Sequence, residues 1–253
     1  RLESDDIDLV LLDLGLPDSN GLDTVDGVCS QFAELPIVVL TGLDSEEVGL
    51  EAIRRGASDY LVKDHLSSEI LSRTVRYSRE RKKLERRLVY LAGHDPLTGA
   101  MNRRAFAESV DRSVAQAKRG RRSSLVMLDV DHFKLVNDKL GHAAGDDVLA
   151  GIAKAVQNEL RSEDVLARVG GDEFTVLLEG IPLREGQEVA ERMRAAVSEW
   201  VDQAELPVRL TVSIGVVEID GEIDCDALVS QADRCLYKAK ESGRNRVACL
   251  AEA

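Results

Sequence analysis

Short apolar runs alternate with amphipathic stretches along the first third of the chain. "IDLVLLDL" is nearly continuous in apolar residues up to Asp13 and runs into the turn chemistry of "GLPDSNG". Helical patterning follows to about Phe32, then the strand-like "PIVVLTG". A helix opens within "DSEEVGLEAIRRG", with acids in its first turn and Gly56 past its end, and the short strand "DYLVK" closes the series. Buried strands alternating with helices predict a parallel, doubly wound sheet covered on both faces. From about Ser67 to Leu91 the pattern changes, with neither Gly nor Pro. Ile70, Thr74, Tyr77, Arg81, Leu84, Leu88 and Leu91 recur at alternating spacings of four and three. That is a heptad seam with two polar positions, long enough for a dimeric coiled-coil stalk; a single amphipathic linker helix is the alternative.

Beyond "AGHDPLTG" the pattern predicts helix 102–119, strand 123–130, helices 132–139 and 145–161, and strands 165–170 and 173–179. Helix 185–201, strand 207–217, helix 225–242 and a short strand 245–250 complete it. This order implies an α/β domain with a mixed central sheet, a palm-like ferredoxin variant. The expected division is 1–68 for the first domain, 69–91 for the stalk and 92–253 for the second domain.

Composition narrows the class. With 44% apolar and 31% charged residues among 253, the chain reads as globular and long enough for two cores. No apolar run approaches membrane-spanning length and no signal peptide opens the chain, so the expectation is a cytoplasmic protein without a membrane partner. Arg1 in place of Met suggests a fragment or a trimmed chain. The net charge of −13 argues against nucleic acid as a partner, and the basic run from Arg73 to Arg87 reads as a solvated helix face. Cys29, Cys225, Cys235 and Cys249 lack paired short spacings, which suits a reducing compartment better than disulfides or zinc.

The chemistry concentrates in two stretches. In "ARVGGDEFTVLL", Gly170 and Gly171 are expected to take the positive φ angles of a tight hairpin. Asp172 and Glu173 follow at once, and adjacent carboxylates repel unless a cation is shared. In "SLVMLDVDHFKLVNDKLGHAAGDDVL", an apolar strand ends at Asp129 and Asp131, which alternation puts on one face. Two hard oxygen ligands there, joined by Asp172, would make a magnesium site, with Lys134 near enough to meet a phosphate. A lone Asp at a strand–helix junction is as readily an N-cap, but the joint pattern favours the metal.

These residues carry a resemblance. "HDPLTGAMNRRAF", "DVDHFKLVNDKLGHAAGDDVL", "RVGGDEF", "VSIGV" and "ADRCLYKAKESGRNRV" stand in the order of the GGDEF family of diguanylate cyclases, over roughly Leu91 to Leu250. The resemblance implies condensation of two GTP into cyclic di-GMP and two pyrophosphates. It implies Mg2+ or Mn2+, two per GTP site, held by Asp129, the Val130 carbonyl and Asp172. Asp172 is the implied catalytic carboxylate, supported by Glu173. Asn137 and Asp146 match the guanine-reading pair; Phe133 and Lys134 offer backbone amides where a helix starts after a strand; and Lys134, Lys240 and Arg244 match the triphosphate contacts. One GTP per domain and a two-fold product imply a homodimer with the domains face to face. A non-catalytic nucleotide sensor would be favoured by loss of Asp129, Asp172 or Lys240, and all three are present.

Two further resemblances concern control. "RSED", Arg161 to Asp164, sits five residues before Gly170 and matches the family's RxxD site for cyclic di-GMP as inhibitor, with Arg192 as the secondary arginine. "DLVLLDLGLPDSNGLD", "PIVVLTG" and "ASDYLVKD" resemble the receiver domain of response regulators. Asp13 then matches the phosphoacceptor, Thr41 and Lys63 its phosphoryl contacts, and Tyr60 the aromatic switch. The family's first strand and acidic pair would precede Arg1. An upstream histidine kinase and dimerisation through receiver and stalk are the implied inputs.

Overall fold

The computed structural model describes residues 7–15, 21–42, 46–221 and 224–249. The chain divides into two compact units, Arg1–Ala92 and Gly93–Ala253. No described helix is long and apolar enough to cross a membrane.

In the first unit, β1 (Val10–Asp13), β2 (Ile37–Thr41) and β3 (Asp59–Val62) form a parallel sheet in that order. The central strand "IVVLT" is β-branched throughout except for Leu40, as a strand flanked on both edges requires. Leu12, Ile37 and Val39 bury against Val25 of α1 (Leu22–Gln31) and Ala52 of α2 (Glu46–Arg54). The turn "GLPDSNG" lies largely outside the described residues.

After a 3-10 turn over Lys63–His65, α3 runs unbroken from Ser68 to Gly93. The first half of the predicted seam is not free, because it packs on the unit it grows from. Thr74 and Ser78 are buried, Arg79 pairs with Asp8 at 3.2 Å, and Arg81 donates to the Ser58 carbonyl at 3.4 Å. Arg86 reaches Glu34 at 2.8 Å. Tyr77, Leu84 and Leu88 of the seam, by contrast, are 64%, 62% and 67% exposed, so its apolar positions from Tyr77 onward stay open while Thr74 is packed.

The second unit is built on a six-stranded sheet of order β4-β6-β7-β5-β8-β9. Its strands are β4 (Met101–Asn102), β5 (Ser123–Asp131), β6 (Val165–Arg168), β7 (Glu173–Leu178), β8 (Thr211–Ile219) and β9 (Val247–Cys249). β5 lies between β7 and β8, antiparallel to both, and all nine of its residues are buried. Val126, Leu128 and Val130 face a core closed by α6 (His142–Gln157) and α7 (Leu183–Gln203). Leu125 and Met127 face the other side, closed by α4 (Arg103–Ala117) and α8 (Cys225–Glu241).

Two departures from the sequence expectation have local causes. α5 (Phe133–Leu140) is followed at once by α6, three residues earlier than expected, because Gly141 takes φ 85° and turns the chain in one step. β8 begins at Thr211 and not at 207, and Thr211 is recruited by a buried carboxylate described below. One glycine decides how closely α8 sits. A Cβ at Gly215 of β8 would lie 2.6 Å from the Ala232 carbonyl, so only glycine admits the helix backbone there.

Candidate active site

Asp129 and Asp131 leave β5 on the same sheet face, as alternation requires, yet their environments differ. Lys240, near the C-terminal end of α8, meets Asp129 Oδ2 at 2.7 Å. Burial pushes the Asp129 carboxyl up from its ordinary value, the charges of Asp172 and Asp131 add to that, and Lys240 offsets only part of it. Asp131 is instead saturated. Its side chain accepts from Ser213 Oγ at 2.8 Å, Thr211 Oγ at 2.7 Å and the Asn245 amide at 3.2 Å, with Arg244 Nε at 3.8 Å. Both hydroxyls come from β8, where Thr211 and Ser213 stand in register with Asp131 and Asp129.

The expectation that Asp131 joins Asp129 and Asp172 as a metal ligand is therefore corrected. Its lone pairs are committed, and among the described residues no group of three or more His, Cys, Asp or Glu is arranged to hold a metal. What Asp131 does is hold a strained turn. Gly243, Arg244 and Asn245 all have positive φ, at 111°, 61° and 48°. A non-glycine residue in that region costs roughly 1–2 kcal/mol, an amount that charge-assisted bonds to a buried carboxylate can offset.

The loop carrying Asp172 is fastened to β5, since the Val130 amide donates to the Asp172 carbonyl at 3.2 Å. Val169 and Gly170 amides both point to the Glu173 carbonyl, at 3.0 and 3.4 Å, closing the turn between β6 and β7. Neither Gly170 nor Gly171 is among the positive-φ glycines, so the expected reason for them is wrong. A Cβ at Gly170 would lie 2.5 Å from Glu173 Oε2, a contact that the exposed Glu173 side chain can relieve by moving, and at Gly171 a Cβ would meet nothing within 4 Å.

A second fastening escaped the sequence reading. Arg168 donates to the Gly171 carbonyl from Nη2 at 2.7 Å and Nε at 3.1 Å, while its Nη1 reaches Asp95 at 3.2 Å. Burial pushes the Asp95 carboxyl up, but the Thr98 hydroxyl and amide and the Arg168 guanidinium outweigh it and hold it below its ordinary value. The signal was present in "HDPLTG" and "RVGGDEF", each of which supplies one partner; only the tertiary approach joins them.

The other predicted site residues divide between core and surface. Phe133 is buried in the core and opens α5, preceded by His132 in a left-handed conformation at φ 62°. Lys134 and Asp146 are exposed, and Asn137 is half-buried. Gly145, in the first turn of α6, leaves the room that Asn137 occupies, because a Cβ there would overlap its side-chain amide. Glu173 stands opposite Asp129 in the β5–β7 register and is exposed.

Asp164 is buried, and both its oxygens hold backbone, accepting from the Arg161 amide at 2.9 Å and the Glu179 amide at 3.2 Å. Arg161 projects from that turn and is exposed; Arg192, on α7, pairs with Glu159 at 3.3 Å. In the first unit, Lys63 reaches Asp13 at 2.7 Å and the Gly15 amide donates to it at 2.8 Å. Thr41, at the end of β2, is buried with its hydroxyl unpartnered. The Tyr60 ring lies over Gly49 of α2, where a Cβ would overlap the ring.

The two carboxylates and one carbonyl fit a divalent cation that completes its shell with water and phosphate oxygens, the usual habit of Mg2+. The donor set is all oxygen, and a cation there would offset both the burial that chiefly raises the Asp129 carboxyl and the added repulsion of Asp172 and Asp131.

Comparison with known proteins agrees with this geometry. Residues 92–246 match the family model "Diguanylate cyclase, GGDEF domain", and residues 1–75 match "Response regulator receiver domain". Diguanylate cyclase DgcM of Escherichia coli is 40% identical over 169 residues, covering 66% of this chain and 41% of that protein. Response regulator PleD of Caulobacter vibrioides is 32% identical over 255 residues, covering 95% of this chain and 56% of that protein. Diguanylate cyclase DgcP of Pseudomonas aeruginosa is 42% identical over 155 residues, covering 60% of this chain and 23% of that protein. The chain thus spans between 23% and 56% of these relatives' lengths. Among solved structures, the coiled coil and GGDEF domain of DgcB from Caulobacter crescentus, in complex with c-di-GMP, aligns with TM-score 0.62 at 30% identity. That alignment covers 72% of this chain and 97% of the other. Fold, motif order and the fastened Asp172 loop lead to one assignment: the chain belongs to the GGDEF family of diguanylate cyclases, its GGDEF domain preceded by response-regulator receiver sequence.

Proposed function

We propose that the second unit condenses two GTP into cyclic di-GMP with release of two pyrophosphates, in a homodimer that presents one GTP from each domain. The observation that carries this reading is the Asp129–Lys240 pair beside the fastened Asp172 loop. It puts a carboxylate that favours a cation next to a cation that favours phosphate.

In this reading Asn137 and Asp146 hold guanine through its N1–H and amino donors, which adenine lacks. Lys134, Lys240 and Arg244 neutralise the triphosphate, and the amides of Phe133 and Lys134 meet it at the start of α5. Asp172 accepts the proton of the attacking 3′-hydroxyl, with Glu173 in support; the 3′-oxygen bonds to the α-phosphorus of the facing GTP as its bond to pyrophosphate breaks. Diguanylate cyclases of this family generally use divalent metal ions. Asp129, the Val130 carbonyl and Asp172 would hold two Mg2+ or Mn2+ per site, whose chemistry is to polarise the phosphate and acidify the hydroxyl.

Control is proposed at two places. Phosphorylation of Asp13 by a histidine kinase would act through Thr41, Tyr60 and Lys63 on receiver pairing, and the exposed end of α3 would carry the change to the cyclase domains. Support comes from a half-exposed Asp13 held ionised by Lys63 and the Gly15 amide, beside a buried hydroxyl awaiting a partner. Cyclic di-GMP would inhibit through Arg161, Asp164 and Arg192. Arg161 is the accessible member, whereas Asp164 shapes the turn that presents it.

The test is to incubate the purified chain with GTP and Mg2+ and resolve products by liquid chromatography with mass detection. Cyclic di-GMP is expected from the parent and none from Asp172→Ala, whose circular dichroism should be unchanged. A folded parent that forms none under dimerising concentrations overturns the reading.

A further inference from the structure

On the sheet face away from the guanine-reading residues, α4 and α8 part to leave a cleft of about 430 Å³, in the size range of small-molecule sites. Its floor is apolar, with Phe106, Leu125 and Met127 all nearly buried. One polar atom interrupts that floor. Thr175, on β7, is 5% exposed, lines the cleft, and its hydroxyl has no hydrogen-bond partner. A buried hydroxyl without a partner is destabilising, so a ligand that pairs with it gains accordingly.

The mouth has the opposite character. Four carboxylates line the cleft, from Asp111, Asp226, Asp233 and Glu173, against one guanidinium from Arg103. No ion pair among the described residues engages Asp226 or Asp233. Asp226 has a local reason to be there, in the first turn of α8, and Asp111 accepts from Cys225; Asp233 has no such partner among the described residues. The negative field registers on a neighbour. Cys225 donates to Asp111 at 2.8 Å, and its thiol is pushed up to about 11, first by burial and then by Asp111 and the adjacent acids.

We propose that this cleft is a binding site for a small organic cation with an aromatic body, of the arylalkyl-amine or aryl-amidine class. Its ring occupies the Phe106–Met127 floor, one N–H donates to the Thr175 hydroxyl, and the charge is met by the acids at the mouth. An anion or nucleotide is disfavoured by the same acids. Glu173 gives the site its consequence, because it lines the cleft and also follows Asp172 in the catalytic turn. An occupant therefore touches the turn that closes the candidate active site. That consequence rests on the cyclase reading; the binding itself does not.

The probe is 4-aminobenzamidine, whose fluorescence rises on leaving water, titrated against the full chain without GTP. Saturable enhancement is expected, displaced by benzamidine and not by its neutral isostere benzamide. Thr175→Val, which keeps shape and removes the hydroxyl, should weaken binding about tenfold. Asp233→Asn should weaken it a few-fold, with a smaller effect in 1 M salt. Val229→Trp, at the exposed rim, should block it. Absence of saturable binding, equal displacement by benzamide, or a Thr175→Val variant that folds and binds like the parent would each overturn the site. Cyclic di-GMP synthesis is measured separately, so failure of the cyclase reading leaves the binding result intact.

Discussion

Lys63 meets Asp13 in the receiver unit and Lys240 meets Asp129 in the cyclase unit, each at 2.7 Å. The two carboxyls nevertheless shift in opposite directions. At Asp13, with a side chain 36% exposed, the Lys63 bond and then the Gly15 amide dominate and hold the carboxyl below its ordinary value. At Asp129, 12% exposed, burial dominates and pushes it up, with Asp172 and Asp131 adding repulsion. Pairing distance alone does not decide an ion pair's character; the solvent lost in making it does. The exposed pair keeps Asp13 ionised, as the phosphoacceptor role proposed for it would need. The buried pair carries frustration that a bound cation relieves.

The comparison can be broken most strongly at Asp129. Asp129→Asn should lower cyclic di-GMP synthesis roughly a thousandfold, as removal of a charge at the reacting centre does. Its stability should move the other way. A carboxyl raised in the fold contributes stability below its unfolded value, and that contribution is lost as pH rises through the folded value. The parent should therefore lose thermal stability more than Asp129→Asn does as pH rises from about 4, the unfolded carboxylate value, through the raised folded value, which thermal unfolding across a pH series will measure.

Removing the two lysines sharpens the contrast. Lys240→Met leaves a mostly buried carboxylate unpaired and should destabilise the cyclase unit by about 1–2 kcal/mol in denaturant unfolding. Lys63→Met should leave the unfolding midpoint of the receiver unit unchanged, because exposed pairs contribute little. Equal effects from the two substitutions would mean that burial is not what separates them.

Asp131 offers a subtler test. Asp131→Asn should raise the KM for GTP by about tenfold with a smaller change in kcat, since it releases the turn carrying Arg244. In an Arg244→Ala background the same substitution should add almost nothing to KM, as coupled residues do. The smallest expected effect is at Asp13. A carboxyl lowered in the fold contributes stability above its unfolded value and loses it as pH falls through the folded value. Asp13→Asn should therefore alter acid unfolding only below about pH 4 and leave neutral stability alone.

Much of this site was legible in the chain. The motifs carry the carboxylates and lysines of the proposed site on strands and helices that periodicity predicts. Asp129 and Asp131 show where legibility stops. Both are Asp, two residues apart, on one face of one strand, and local pattern assigns them the same role. What separates them is β8, whose Ser213 and Thr211 arrive 82 and 80 residues later to satisfy one carboxylate and leave the other to Lys240. Gly170 and Gly171 make the same point. As a pair they signal a turn, and the turn forms, but neither glycine takes the positive φ that the local pattern suggests.

The amino-acid order by itself therefore determined the element types and which acids and lysines stand at the motif positions, because periodicity and turn chemistry are local. Only the tertiary structure decided which acid is free to meet a cation, which is locked into a turn, and which hydroxyl is left unpaired on the floor of a cleft. Those outcomes depend on desolvation and on donors brought from distant strands and helices, quantities that no short window of sequence contains.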